Sequence, residues 1–515
     1  MRRRDIQLRA AARQGDQAAR RELGYRYLVG GDGFPKHVPT GLAYLAQVAA
    51  TDLSAAALLI SGSLRLEELI QNSQMDMLRI ASTCSAIAQL KLAAWNVAIG
   101  KLAQADDLVR LAGDAMDADL SGIARQCATA HDASDLVRAL KAICGLQAMD
   151  MASVAMAAAR QAYDASDLPS MSRALGAAIS LHGQPDDQSS ALVADALHLA
   201  EKLDLPIGGL TTEQIQSALE HLCSRSDRGA WFIMGKALCG IGSKECLPPQ
   251  RLVRTSNLRK GTALLVRAAD AGECKAWMHL YRLNSDGRSS VANPQMARFY
   301  LEKAAAENDA EAQRRLGALI LRESDSLHES EQAIQWLYQA RANGDPYAHG
   351  LLSSLVLPVE GTDEQADTII LDLQKESPWL ASRLRVSRHF GLTKLEALIV
   401  DPADGLRDWG LVVGRNPFIS QVRLSAPRAI PAVTPAALSN LRTVASAFRT
   451  GERDSMAVEG DLRHRSAAQR RIFARFGIRE DMFFGTASSS ALDSLRIGTK
   501  WAHQWRGPLK LALAV

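Results

Sequence analysis

A 36-residue repeat constrains the fold of this chain more than any other feature of its sequence. Between residues 261 and 352, three stretches align at this spacing without a gap, and alanine recurs at Ala276, Ala312 and Ala348. A unit this short cannot bury its apolar face alone, so consecutive units have to stack and share a core. The repeat therefore predicts a solenoid of stacked units rather than one compact core.

The other repeated columns predict a pair of helices in each unit. They are Leu264, Tyr300 and Trp336; Ala268, Ala304 and Ala340; Leu280, Leu316 and Leu352; and Gly272, Asn308 and Gly344. A bulky residue stands four positions before a small one, which places both on one helical face. Glycine and asparagine tolerate positive φ, so their column predicts the turn between helices. We expect the core positions of the repeat to be Leu264, Ala268, Ala276, Leu280, Tyr300, Ala304, Ala312, Leu316, Trp336, Ala340 and Ala348.

These units resemble the Sel-one-like repeat of bacterial proteins, a relative of the tetratricopeptide repeat. The resemblance is carried by Phe299–Ala305 and Trp336–Ala340, and residues 15–45 hold a further copy. Between about 100 and 225 the pattern is looser, so the repeat is extrapolated there. The resemblance implies a mainly α chain, an α/α superhelix whose groove binds protein partners, and names no particular partner.

Composition excludes several other classes. Apolar residues make up 47% of the chain and charged residues 23%, which is typical of a folded protein. The seven cysteines are odd in number and form no C-x-x-C pair, which argues against disulfides and zinc and favours buried apolar roles. The basic start lacks the apolar stretch of a signal peptide, and no run of 18 apolar residues occurs. The chain is expected to be cytoplasmic.

The region after residue 360 predicts a different architecture. The 36-residue register is lost there, so we divide the chain into a solenoid over 1–360, a helical connector over 361–400 and an α+β domain over 401–515. Strands are predicted at 409–413, 419–424 and 509–514. One helix is expected to begin at Thr434-Pro435, with threonine as N-cap, and to pack on the sheet. A second is expected to span Ser466–Phe476, with Ile472, Phe473 and Phe476 on its apolar side and Gly477 as its stop.

The C-terminal region is also strongly basic. Residues 405–515 contain 17 Lys or Arg and 8 Asp or Glu. Arg471 and Arg475 are one helical turn apart, so they could form a cationic ridge that contacts a polyanion or an acidic protein. The alternative is a solvated helix face.

One further segment, residues 404–418, has two interpretations. It combines glycines with Arg407, Trp409 and Arg415, residue types that are common at contact sites. It could line a pocket, or it could be turn chemistry around two strands.

The sequence predicts no enzyme. It contains no nucleotide-binding, hydrolase, zinc-protease or calcium-loop motif, so we expect no catalytic residue, no cofactor and no metal. The preferred function is an adaptor that holds protein partners in the repeat groove. The alternative is a regulator whose basic C-terminal domain binds nucleic acid.

Overall fold

The computed structural model describes residues 3–31, 33–146, 149–242, 245–324, 326–414, 427–450 and 459–485. The chain divides into two compact units, Met1–Glu273 and Cys274–Val515. Helices dominate both, and the strands within the described ranges form one small sheet. The prediction of a mainly α chain with a small α+β region near the C-terminus is confirmed.

The described part of the first unit consists of helices joined by loops, with one isolated β-bridge between Gly31 and Phe34. Its helices are α1 Arg3–Gln14, α2 Gln17–Val29, α3 Val38–Ala49, α4 Leu53–Ser63, α5 Leu66–Gln71, α6 Met75–Ala81, α7 Ala86–Ala98, α8 Leu102–Met116, α9 Ser121–Ala128, α10 Ala133–Cys144, α11 Met151–Asp164, α12 Leu168–His182, α13 Asp187–Leu203, α14 Thr212–Ser224, α15 Arg228–Leu238, α16 Pro249–Leu252 and α17 Leu258–Asp270. One continuous apolar core runs from Leu28 to Leu264.

The second unit combines helices with the sheet. Its helices are α18 Lys275–Ser285, α19 Pro294–Ala306, α20 Ala310–Glu323, α21 Leu327–Ala342, α22 Ala348–Ser353, α23 Asp363–Glu376, α24 Pro378–Phe390, α25 Lys394–Ile399, α26 Pro402–Gly405, α27 Pro435–Thr450 and α28 Leu462–Phe476, and its strands are β1 Leu406–Arg407, β2 Gly410–Val413 and β3 Arg428–Pro431. A 3-10 turn follows α28 at Glu480–Met482.

The turn column of the repeat has the backbone that its residue types predict. The φ angles of Gly272, Asn308 and Gly344 are 94°, 62° and 89°, so the expected left-handed turns are confirmed. An aspartate follows two of these turns and accepts an amide at the start of the next helix: Asp309 accepts the amide of Ala312, and Asp345 accepts that of Ala348, both at 2.8 Å. This part of each repeat unit therefore contains the end of one helix, a turn and the start of the next helix.

Small residues mark where the two helices of a unit cross. A Cβ on Gly24 of α2 would lie 2.8 Å from Cγ of Leu45 in α3, and one on Gly41 of α3 would lie 3.0 Å from the carbonyl oxygen of Gly24. In the second unit a Cβ on Gly317 of α20 would lie 2.8 Å from the carbonyl oxygen of Ala333 in α21. These helices pack backbone to backbone, which the sequence columns did not reveal.

The sheet of the second unit is buried on both faces. Its order is β1-β2-β3, all antiparallel, with Leu411 opposite Ile430. Leu411 and Ile430 belong to the core formed with α23–α25, α27 and α28, whereas Val412 belongs to the core formed with α20–α22. Successive side chains of β2 point to opposite faces of the sheet, so this strand contributes to both cores. Helices from the predicted connector, 361–400, share one core with the sheet, and the division at 360 and 400 stays a prediction.

The two helices predicted near the C-terminus are confirmed. Ala437 donates its amide to Oγ1 of Thr434 at 3.1 Å, and the helix Pro435–Thr450 packs on the sheet as expected. Helix α28 begins at Leu462, earlier than predicted, because Asp461 caps it, and Gly477 ends it with φ 63°. Phe476, expected on its buried side, is 43% exposed. The predicted strands at 419–424 and 509–514 lie outside the described residues.

Candidate protein-binding groove

The predicted core positions of the repeat are buried with one exception. Less than a tenth of the surface is exposed at Leu264, Ala268, Ala276, Leu280, Tyr300, Ala304, Ala312, Leu316, Ala340 and Ala348. Trp336 is partly exposed. These side chains build the framework, so a binding surface has to be formed by other residues.

The predicted contact residues Arg407 and Trp409 have structural partners. The Nε of Arg407 donates to Oε2 of Glu331 at 3.1 Å, and one of its terminal nitrogens donates to the carbonyl oxygens of Asp404 and Leu406. Trp409 is 7% exposed and belongs to the core beside α21 and α22. In the described part of this segment, β1 and β2 pair antiparallel and are joined by a tight turn. Arg415 lies outside the described residues.

The predicted cationic ridge on α28 is partly neutralised. Nη1 of Arg475 lies 2.5 Å from Oε1 of Glu376, and its guanidinium covers the ring of Phe476 at 5.3 Å. Arg479, beyond the end of the helix, pairs with both Glu360 and Asp481. Arg471 is exposed. The ridge therefore offers less unpaired charge than the sequence suggests.

A groove of about 900 Å³ lies in the first unit, in the stretch where the repeat pattern is loose. We call it the central groove, and its lining comes from four segments, residues 100–104, 131–133, 169–173 and 206–209. The first three contain the N-terminal ends of α8, α10 and α12. The groove is thus built from equivalent ends of alternate helices, which a stacked array places side by side.

Arg173 fixes the wall of the central groove. Its guanidinium donates to the carbonyl oxygens of Ala130 at 2.8 Å and of Ala98 at 3.1 Å, close to the C-terminal ends of α9 and α7. Burial lowers the pKa of Arg173 below its ordinary value, but a guanidinium remains charged at neutral pH. One cation therefore satisfies carbonyls at the ends of two helices and holds their spacing.

Two glycines allow a loop to pack closely on α12 at the other side of the central groove. A Cβ on Gly176 of α12 would lie 2.1 Å from the carbonyl oxygen of Gly209, and one on Gly209 would lie 2.3 Å from the amide nitrogen of Arg173. Only glycine allows the loop at 206–209 to lie this close to the helix. The loop is therefore fixed against α12.

The open surface of the groove is polar with a cationic bias. Lys101 and Gln104 are exposed at the start of α8, where no side chain caps the helix. Asp132 is engaged as the N-cap of α10, where it accepts the amide of Asp135 at 2.7 Å. Positive partial charge at the helix starts adds to Lys101 and Arg173, so the groove suits polar or acidic groups of a ligand.

The groove residues were not among those predicted from the sequence. The signal that could have found part of them is the aspartate before α10 and before α12, Asp132 and Asp167, which marks two of the three helix starts in a stretch otherwise rich in alanine. Even with those starts, the approach of Gly209 to α12 could not be read from local sequence.

The described ranges hold no group of three or more His, Cys, Asp or Glu side chains that could bind a metal. Burial raises the pKa of Cys127 and of Cys144 to about 12, which keeps both as unreactive thiols. Among these residues, none of the helices combines the length and apolarity needed to cross a bilayer.

The chain is a helical repeat protein by its own architecture. No family model matches it, and no curated protein does. A protective antigen of uropathogenic Escherichia coli strains, which displays an SLR fold, is similar to it at 18% identity, covering 86% of this chain and 94% of the antigen, with a TM-score of 0.27.

A Sel1 repeat protein from Oxalobacter formigenes is similar at 20% identity, covering 69% of this chain and 91% of its own, with a TM-score of 0.24. Both solved structures are Sel1-repeat proteins, the family that the 36-residue units resemble.

Proposed function

We propose that this protein is a non-enzymatic adaptor that holds a segment of a protein partner in the central groove. The observation that carries the proposal is the groove itself, an open cavity of about 900 Å³ whose walls are fixed by Arg173 and by the contact of Gly209 with α12. A rigid, preformed surface loses little conformational entropy on binding, which favours the recognition of a partner.

The experiment fills the groove without disturbing its framework. Gln104 is exposed on the first turn of α8, so Gln104→Trp places an indole in the groove while the protein keeps its fold. Gln126→Trp, on the exposed side of α9 outside the groove lining, is the matched control. Quantitative co-purification from the native host should lose a defined partner with Gln104→Trp and retain it with Gln126→Trp. An identical partner set for both variants would contradict the proposal.

The alternative function is nucleic-acid binding through the basic C-terminal region. The excess of 17 Lys or Arg over 8 Asp or Glu in residues 405–515 favours it. The carboxylate partners of Arg475 and Arg479 count against it, because each ion pair would have to open before a phosphate could bind. Duplex DNA binding that weakens steeply with salt, and that Arg471→Glu with Arg475→Glu abolishes, would favour this alternative over the adaptor.

A further inference from the structure

The first three helices form a second groove, lined by residues distinct from those of the central groove. Its volume is about 590 Å³, and its lining includes Arg13, Arg20, Pro39, Thr40, Tyr44 and Gln47. We call it the N-terminal groove. It belongs to the copy of the repeat at residues 15–45, where the chain departs from an ordinary repeat by adding α1 in front of the pair α2 and α3.

Charge in this part of the chain is strongly one-sided. Residues 1–49 contain nine Lys or Arg and four Asp or Glu. Several of these cations have partners: Arg26 pairs with Asp5 and Glu22, and Arg21 lies 3.6 Å from Asp52. The lining of the N-terminal groove contains two arginines and no carboxylate. Among the described residues, no ion pair joins Arg13 or Arg20 to an acidic side chain.

Arg20 is held in position by the backbone. Its Nε donates to the carbonyl oxygen of Ala12 at 3.1 Å, across the turn between α1 and α2. This bond restrains the plane of the guanidinium and does not use its two terminal nitrogens. A fixed guanidinium binds a carboxylate through two parallel hydrogen bonds at a small entropy cost.

The floor of the groove is rigid and of mixed polarity. The ring of Tyr44 stacks on that of Tyr27 with centroids 6.2 Å apart, and Tyr27 meets Phe34 edge to face at 5.4 Å. Thr40 and Gln47 add hydrogen-bonding groups on the same helix as Tyr44. The lining thus combines an aromatic ring with two cations and two polar side chains, which matches an extended peptide with alternating acidic and apolar side chains.

We propose that the N-terminal groove binds an extended acidic peptide segment of a partner protein, with Arg13 and Arg20 each receiving a carboxylate and Tyr44 contacting an apolar side chain between them. Two guanidiniums that form no ion pair within the described ranges suit a short acidic segment better than a nucleic acid, whose binding neutralises several phosphates at once. The site is independent of the central groove, so its failure would leave the adaptor proposal standing.

The test measures the binding of a defined probe to the full chain. The probe is a short fluorescein-labelled peptide of alternating glutamate and alanine, and the same peptide with glutamine replacing glutamate is the neutral control. Fluorescence anisotropy at low salt should show binding of the acidic probe only. Arg13→Glu combined with Arg20→Glu should weaken that binding at least about tenfold, because each reversal replaces attraction by repulsion.

The matched control is Arg125→Glu combined with Arg160→Glu. Both arginines are exposed on helices of the same unit, outside the groove lining, and the pair changes the net charge equally. We expect its affinity to stay within about twofold of the wild type. Arg13→Glu alone alters an exposed side chain and guards against loss of the fold at Arg20, with circular dichroism as the check on folding.

Three results would overturn the proposal. The acidic probe could fail to bind the wild type. The control pair could weaken binding as much as the groove pair, which would indicate unspecific attraction. A single-stranded oligonucleotide could bind more tightly than the peptide with the same dependence on Arg13 and Arg20, which would assign the groove to nucleic acid.

Discussion

Gly317 shows how much a single residue decides in this fold. It lies on α20 where that helix crosses α21, and an added Cβ would be 2.8 Å from both the carbonyl oxygen of Ala333 and Cγ of Leu337. A backbone oxygen cannot rotate away, so Gly317→Ala has to push the helices apart. We expect it to lower the free energy of unfolding by about 1–3 kcal/mol, measured by urea denaturation.

Gly350→Ala is the control at the same scale. Gly350 is exposed within α22, and a Cβ there would meet no atom within 4 Å. Alanine is the better helix former, by roughly 1 kcal/mol in a helix interior. This variant should be as stable as the wild type or more so. Equal effects of the two substitutions would mean that the α20–α21 crossing is looser than the structure shows.

At the scale of elements, an acidic side chain links helices α18 and α20. Glu311 accepts hydrogen bonds from Arg282 at 2.8 Å and from Arg315 at 2.7 Å. Burial raises the pKa of Glu311, but the bonds and charges of the two arginines outweigh it and leave the pKa below its usual value of 4.5. A carboxylate whose pKa is lowered by folding stabilises the fold at pH values above its pKa in the unfolded state. This contribution is lost as the pH falls through the pKa of the folded state.

This linkage predicts the pH dependence of one variant. Glu311→Gln should reduce the melting temperature most above about pH 5, and the difference from the wild type should shrink below about pH 4. Glu302→Gln removes an exposed partner of Arg298 on α19 and should have little effect at any pH. A deficit of Glu311→Gln that is constant across this range would show that the carboxylate charge is not what matters.

At the scale of the whole molecule, each unit has its own interior, and in the second unit the sheet joins helices from both sides. Arg341 of α21 donates to the carbonyl oxygens of Ala432 and Val433, just after β3, at 3.2 and 2.8 Å. On the other face, Glu396 and Arg428 form a buried ion pair between α25 and β3 at 2.9 Å. Helices assigned from sequence to a connector are thus bound to the sheet.

Hydrogen exchange of the full chain can test this integration. The amides of α24, β2, β3 and α27 should exchange as one cooperative group in mild urea, because their side chains share one core. Mass spectrometry of peptic fragments measures it. Exchange of α24 and α25 well before the strands would instead support the separate connector over 361–400.

The features that were predicted correctly from residue types are those that depend on neighbours along the chain. The turns at Gly272, Asn308 and Gly344, the cap at Thr434 and the stop at Gly477 follow from residue type and spacing, because φ preference and capping act within a few residues. The columns of small and large residues likewise predicted which helix faces are buried, because their spacing places them on one side of a helix. Phe476 is an exception, since it is exposed at the last turn of its helix.

Tertiary structure alone decided which distant groups meet. Arg475 pairs with Glu376, Arg173 donates to the carbonyl oxygen of Ala98, and Gly209 contacts α12. In each case the two partners are far apart in the sequence. Local pattern carries no information about such pairs, because any exposed arginine in a helix looks alike until the fold supplies its neighbours. The candidate ridge on α28 therefore lost part of its charge, and neither groove could be located from residue types and spacing alone.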